Sequence, residues 1–183
     1  EDVHTVGEDF QAAGYRTALV GKAHFQPTKT HETWTSIESM PILQDLDFWR
    51  NFHGPFYGFE HIELARNHAD EQLVGQHYVI WLEENGCDNW RDYYRPPTGN
   101  NANQKHTWGI PEQYHYGTWI RERSCALLEE YAEKDEPFFL WASFFDPHPP
   151  YLAPTTSESL GNCSIWRMIQ RNCIIVGMIQ NIK

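Results

Sequence analysis

The stretch Pro137-Phe138-Phe139-Leu140-Trp141-Ala142-Ser143-Phe144-Phe145 limits what this chain can become more than any other. A continuous apolar run of strand length offers no polar face to water, so it needs cover on both sides. That is the situation of a strand in a mostly parallel sheet with helices above and below. The run empties into Asp146-Pro147-His148-Pro149-Pro150-Tyr151. Three prolines bar helix and stiffen the segment, which holds His148 at the end of the strand. Asp146, next to Pro147, reads as turn chemistry.

A second strand is shorter. Thr17–Val20 is entered from Gly14 and left through Gly21, with Lys22 and His24 just beyond. Gly21 permits a sharp backbone turn. In open α/β sheets ligands bind in the crevice outside the C-terminal strand ends. A fixed ammonium beside an imidazole that exchanges a proton near neutral pH suits an anion. On spacing alone, an ordinary strand end with two solvated polar residues is an equally simple reading. Two strands that each end in a histidine, one with a lysine beside it, favour a cationic crevice. If the strands are parallel members of one sheet, their ends share an edge, and Lys22, His24 and His148 can converge on one tetrahedral anion.

The rest of the chain supplies helices and loops. Residues 2–13 carry Val3, Val6, Phe10 and Ala13 at helical spacing, with Gly14 as the stop. Residues 26–58 have no sustained period and read as a long ordered loop over the crevice, a substrate-facing lid. Phe59–Leu64 reads as a short strand. From Asp70 to Glu84, the residues Leu73, Val74, His77, Ile80 and Trp81 share one helix face, ended by Asn85-Gly86. Residues 87–112 read as an irregular insertion, and roughly 112–134 as the longest helix, lined by Trp119, Ile120, Arg123, Leu127, Leu128 and Tyr131. His53 and His61 read as loop and strand residues. Asp45-Leu46-Asp47 reads as a solvated loop rather than a paired-carboxylate site. The order helix–strand, then helix–strand again, is that of an α/β protein with a mostly parallel sheet.

At 183 residues, with eight Trp, nine Tyr and ten Phe, the chain can bury one real core but is short for two domains. A net charge of −11 argues against nucleic acid, which calls for a basic face, yet leaves room for a small anion in a local basic pocket. No signal peptide, transit peptide or transmembrane run opens the sequence. Cys87, Cys125, Cys163 and Cys173 lack zinc spacing and are expected to be free thiols.

The block Gly14-Tyr15-Arg16-Thr17-Ala18-Leu19-Val20-Gly21-Lys22-Ala23-His24, followed downstream by Phe144-Phe145-Asp146-Pro147-His148-Pro149-Pro150-Tyr151, resembles the sulfatase family of the alkaline-phosphatase-like superfamily. Sulfatases carry a G-Y-x-T-x-x-x-G-K-x-H block and later a P-H-x-P block, in this order. Residues 54–61 also look like the family's Y-G-F-D segment. The resemblance covers residues 5–154 or so and implies a partial alkaline-phosphatase-like α/β/α sandwich. It makes 1–154 a partial sulfatase catalytic domain. Residues 155–183 are then a tail outside the family, expected to be poorly ordered, with no acidic residue after Glu158.

By this resemblance Lys22 contacts sulfate and nucleophile, His24 does acid–base work on the covalent intermediate, and His148 binds a sulfate oxygen on the leaving-group side. Ala23 stands where the family often has a large residue. His68, just past the Y-G-F segment, is a further candidate to face the substrate. The family's nucleophile is a formylglycine made in a C/S-x-P-x-R signature, and its metal, usually calcium, is held by carboxylates and an Asn. Both are implied for a longer parent and have no counterpart in place here. Cys163-Ser164-Ile165-Trp166-Arg167 has Ile where Pro is needed and follows the P-H-x-P block instead of preceding it, so its spacing reads as coincidence.

The expected parent is therefore a sulfuric ester hydrolase acting on a small-molecule or saccharide sulfate ester, with no nucleic acid partner and no membrane span. The resemblance implies a secreted, periplasmic or lysosomal setting for it. Two alternatives stand beside it: a phosphodiesterase or phosphonate hydrolase of the same superfamily, and an inactive truncated product. Without nucleophile and metal carboxylates the chain alone is expected to be inactive.

Overall fold

The computed structural model describes residues 3–66, 70–94, 105–134, 136–146, 148 and 151–154. His68, the prolines flanking His148, and the tail 155–183 with Cys163 and Cys173 lie outside the described residues. Four α-helices are described: α1 (Val6–Ala12), α2 (Leu46–Asn51), α3 (Gln76–Glu84) and α4 (Tyr116–Ala132). The described strands are β1 (Arg16–Gly21), β2 (His61–Leu64), β3 (Lys105–Trp108), β4 (Phe138–Ser143) and β5 (Tyr151–Pro154).

The apolar run becomes β4, and its alternation explains the layers. Phe138, Leu140 and Ala142 join Ala18 and Val20 in a core with Tyr78 and Leu82 of α3 and Trp119, Ile120 and Leu127 of α4. Phe139 and Trp141 face the other way, toward Leu19, Ile62, Phe59, Phe10 of α1 and Trp49 of α2. Both faces are covered, as a run without a polar face requires. Burying an aromatic such as Trp49 or Trp119, each fully enclosed, contributes roughly 3 kcal/mol. The strand order is β2-β1-β4, all parallel. The chain is α/β with a three-stranded parallel open sheet, consistent with a partial alkaline-phosphatase-like fold.

Helix α1 starts later than the apolar spacing predicts. Thr5 caps it, and Thr5 and Glu8 complete a reciprocal capping box. Val3 and Val6 are 64% and 45% exposed, and Ala13 is exposed too. Of the expected stripe, Phe10 packs inward, stacking on Phe139 at 4.1 Å, and Gly7 lets the helix approach the Tyr57–Gly58 backbone. Close approach, not the valines, set how much of that face is buried.

The expected loop 26–58 contains order of its own. Asp45 caps α2 by accepting from the Phe48 N–H at 3.0 Å, and Asp47 sits in that helix's first turn. The helix expected over 70–84 is broken. Residues Glu71–Leu73 form a 3-10 turn, and α3 begins at Gln76 after Gly75, which is extended and packed so closely on Leu43 that a Cβ there would meet the Leu43 carbonyl. Its end at Asn85-Gly86 is as expected, with Gly86 at a φ of 82°. The expected irregular insertion 87–112 holds a 3-10 helix, Trp90–Tyr94, with Trp90 and Tyr94 buried. It also holds β3, which pairs in parallel with β5 in a second, two-stranded sheet. The longest described helix is α4, capped by His115 after a 3-10 turn at Glu112–Tyr114.

The outer edge of β2 is closed by side chain and loop. The Ile62 N–H donates to the His53 carbonyl at 2.8 Å, and the Leu64 N–H to His77 Nδ1 at 2.9 Å. With Nδ1 accepting, the His77 proton sits on Nε2, 3.0 Å from the Phe52 carbonyl. Burial, reinforced by His53, holds the His77 pKa down at about 3, so the ring is a neutral structural pin. Beside it Arg123 grips Glu63 with two hydrogen bonds of 2.7 and 2.9 Å. Burial pushes the Glu63 carboxyl up, but hydrogen bonds from His61 and Arg123 prevail and hold it at about 2.

Candidate anion-binding crevice

Three strand ends meet at one level. Gly21 is in register with Leu64 of β2 and with Ser143 of β4. Adjacent strands lie about 4.8 Å apart, so the segments leaving them begin side by side. The Lys22 N–H donates to the Ser143 carbonyl at 3.0 Å, and the Ala65 N–H to the Gly21 carbonyl at 3.0 Å. The edge that receives Lys22 and His24 therefore also receives Arg66 and the segment leading to His148.

Gly21 makes this junction possible. Its φ is 111°, and a Cβ there would collide with the Ser143 carbonyl oxygen. Lys22 is half-buried, with its ammonium 5.7 Å from the Phe145 ring centroid. Burial, then the repulsion of Arg66, lowers the Lys22 pKa, while Glu38 opposes the shift. His24 is exposed and adopts a φ of 57°. Its pKa is lowered by burial and by Arg66, with Lys22 and His148 adding to the effect against Glu38. His148 is exposed, and its N–H donates to the Phe145 carbonyl at 2.9 Å.

Asp146 behaves as more than a turn residue. It accepts a hydrogen bond of 2.9 Å from the Tyr116 hydroxyl, tying the β4 exit to the start of α4. Burial raises its pKa, partly offset by that hydrogen bond.

Two residues at this edge were not singled out by sequence reasoning. Glu38 and Arg66 form an ion pair of 3.3 Å with side chains 1% and 3% exposed. The Glu38 carboxylate accepts the backbone N–H groups of His24 at 2.8 Å and Gln26 at 2.6 Å. Arg66 Nη1 also donates to the Gln26 carbonyl at 3.2 Å. Glu38 lies in an aperiodic loop with no pattern to mark it. Arg66 had one usable signal, its position two residues past a strand end.

His53 and His61 stack on each other, ring centroids 5.5 Å apart, beside β2. His61 stands opposite Ala18, three residues before the edge at Gly21. Among the described residues no group of three or more His, Cys, Asp or Glu is arranged to hold a metal. The Glu38 oxygens are taken by two backbone N–H groups and Arg66, so this carboxylate is not free to hold a calcium ion. Cys87 and Cys125 are free thiols, and no described helix is long and apolar enough to cross a membrane.

No family model matches the chain. It is 25% identical over 154 residues to the uncharacterized sulfatase YidJ of Escherichia coli (strain K12), a match covering 84% of this chain and 24% of that protein. It is 24% identical over 162 residues to an arylsulfatase of Clostridium perfringens (strain 13 / Type A), covering 82% of this chain and 28% of that one. The chain thus spans about a quarter of the length of these curated relatives.

Proposed function

We propose that this chain, which its similarity to two curated sulfatases supports as a sulfatase-family fragment, carries the sulfate-binding lysine–histidine half of a sulfuric ester hydrolase site. One observation carries this reading. Lys22 and His24 leave β1, and His148 follows β4, at the same edge of adjacent parallel strands. A desolvated ammonium and two imidazoles at a strand-end crevice suit a tetrahedral oxyanion.

In the proposed chemistry Lys22 lies against the sulfuryl oxygens and stabilises the charge that builds in the transition state. His24, whose pKa is lowered by burial and by Arg66, is the group that accepts and returns a proton. His148 binds an oxygen on the leaving-group side. His68 is retained as a candidate substrate contact. In a longer parent a formylglycine would supply the nucleophile and a divalent metal the Lewis acid, neither held by the described residues. On this reading the 183-residue chain binds the anion without hydrolysing its ester, and the parent acts on a small-molecule or saccharide sulfate ester.

The test is a titration of the chain with inorganic sulfate, followed by the ring signals of His24 and His148 in NMR spectra. Both signals are expected to move together, and Lys22→Ala is expected to weaken binding about tenfold. Binding that ignores Lys22→Ala, or no response at either ring, sinks the proposal. A parallel titration with inorganic phosphate that binds more tightly would favour the phosphoester members of the superfamily.

A further inference from the structure

The Glu38–Arg66 pair is enclosed almost completely, yet it belongs to neither apolar core. A pair buried this deeply adds little net stability over apolar residues of the same volume, because both charges lose their water. What such a pair can supply is direction. Here it joins three segments: the β1 exit through the N–H groups of His24 and Gln26, the lid through Glu38 itself, and the β2 exit through Arg66. The lid side is locked further, as the Ile37 N–H donates to Gln26 Oε1 at 2.8 Å.

His24 also needs an external hold. Its φ of 57° is a left-handed conformation that a residue with a Cβ seldom keeps unaided. The Glu38 carboxylate supplies that hold by binding its N–H. Arg66 Nη2 is buried with no hydrogen-bond partner among the described residues, so Glu38 does not fully occupy the guanidinium. Its positive field reaches both Lys22 and His24.

We propose that Glu38 and Arg66 are the positioning residues of the crevice, fixing the backbone of residues 24–26 so that His24 is presented beside Lys22 and His148. The role assigned to the pair rests on the anion-binding reading of those three residues, while the clamp itself is a statement about the loop.

The experiment compares the full chain with its Glu38→Gln variant by amide hydrogen exchange, by NMR titration of the His24 ring, and by titration with inorganic sulfate. The His24 and Gln26 amides are expected to lose about tenfold in protection while Leu19 and Val20 of β1 keep theirs. The His24 ring is expected to titrate at lower pH, since a neighbouring carboxylate has gone; a loop that merely melted would carry it up toward the ordinary value. Arg66→Lys, which keeps the charge but loses the fork, reads the same amides should Glu38→Gln not fold. Unchanged protection at both amides overturns the inference. So does protection lost evenly through β1, a His24 ring that titrates higher in Glu38→Gln, or failure of both variants to fold. Sulfate separates the two readings. If the unaltered chain ignores sulfate, the anion reading falls, while the exchange data still decide whether the pair clamps the loop.

Discussion

The peptide N–H of Lys22 donates to the carbonyl oxygen of Ser143 at 3.0 Å, one residue past the last β1–β4 register pair. That bond continues the ladder beyond the strand and fixes where the lysine stem begins. The same contact brings the two strand ends together closely enough that position 21 has no room for a side chain.

Gly21→Ala is therefore expected to be among the most damaging single changes in the chain. A methyl group would meet the Ser143 carbonyl oxygen, and the positive φ disfavours any Cβ. A loss of about 3 kcal/mol or more is expected from denaturant unfolding. A midpoint close to the unaltered protein would mean that the junction relaxes easily.

Acidification should weaken the fold through His77. In the unfolded chain this histidine takes a proton below its ordinary value of 6.5, whereas in the folded chain it does so only at about 3. The unfolded state binds more protons across that window, so stability is complete above 6.5 and falls as the pH falls. The loss from this one group should reach about 2 kcal/mol at about pH 5. His77→Gln should flatten that part of the stability–pH curve; an unaltered slope would show that the proton uptake lies elsewhere.

Arg123→Ala should expose the cost of stranding Glu63, which is buried while its partner is half in solvent. Discounting for that exposure, about 2 kcal/mol of destabilisation is expected, with Arg123→Lys in between. The check is the unfolding midpoint at neutral pH. A shift no larger than that of an ordinary surface substitution would show Glu63 to be held mainly by other partners.

Sulfate affinity should depend on pH in the opposite sense from stability. A bound anion favours protonated His24, whose pKa is depressed by burial and Arg66. Affinity should thus rise as the pH falls, with the onset below the ordinary value of 6.5. His24→Gln should remove part of that rise. Affinity that stays level from about pH 7.5 to about pH 5 would exclude His24 from the anion site.

Sequence alone determined the three strands of the parallel sheet and placed Lys22, His24 and His148 beyond the ends of two of them. The Phe138–Phe145 run had to be covered on both faces, because no alternation of polar residues could meet water, and Gly21 had to mark a turn. The resemblance carried by residues 14–24 and 144–151 pointed to the family. Tertiary structure decided how much of the expected helix face is buried: Val3 and Val6 stay exposed, while Phe10 of the same stripe stacks on Phe139 and Gly7 fits against the backbone at Tyr57–Gly58. It also decided the break before α3 at Gly75, and the parallel pairing of β3 with β5 across more than forty residues of chain. Above all it decided the Glu38–Arg66 pair. Twenty-eight residues separate its members, and neither sits in a periodic segment. A local pattern records which residues repeat along one element; it holds no record of two charges that meet only when two separate strand exits and a loop are brought to the same edge.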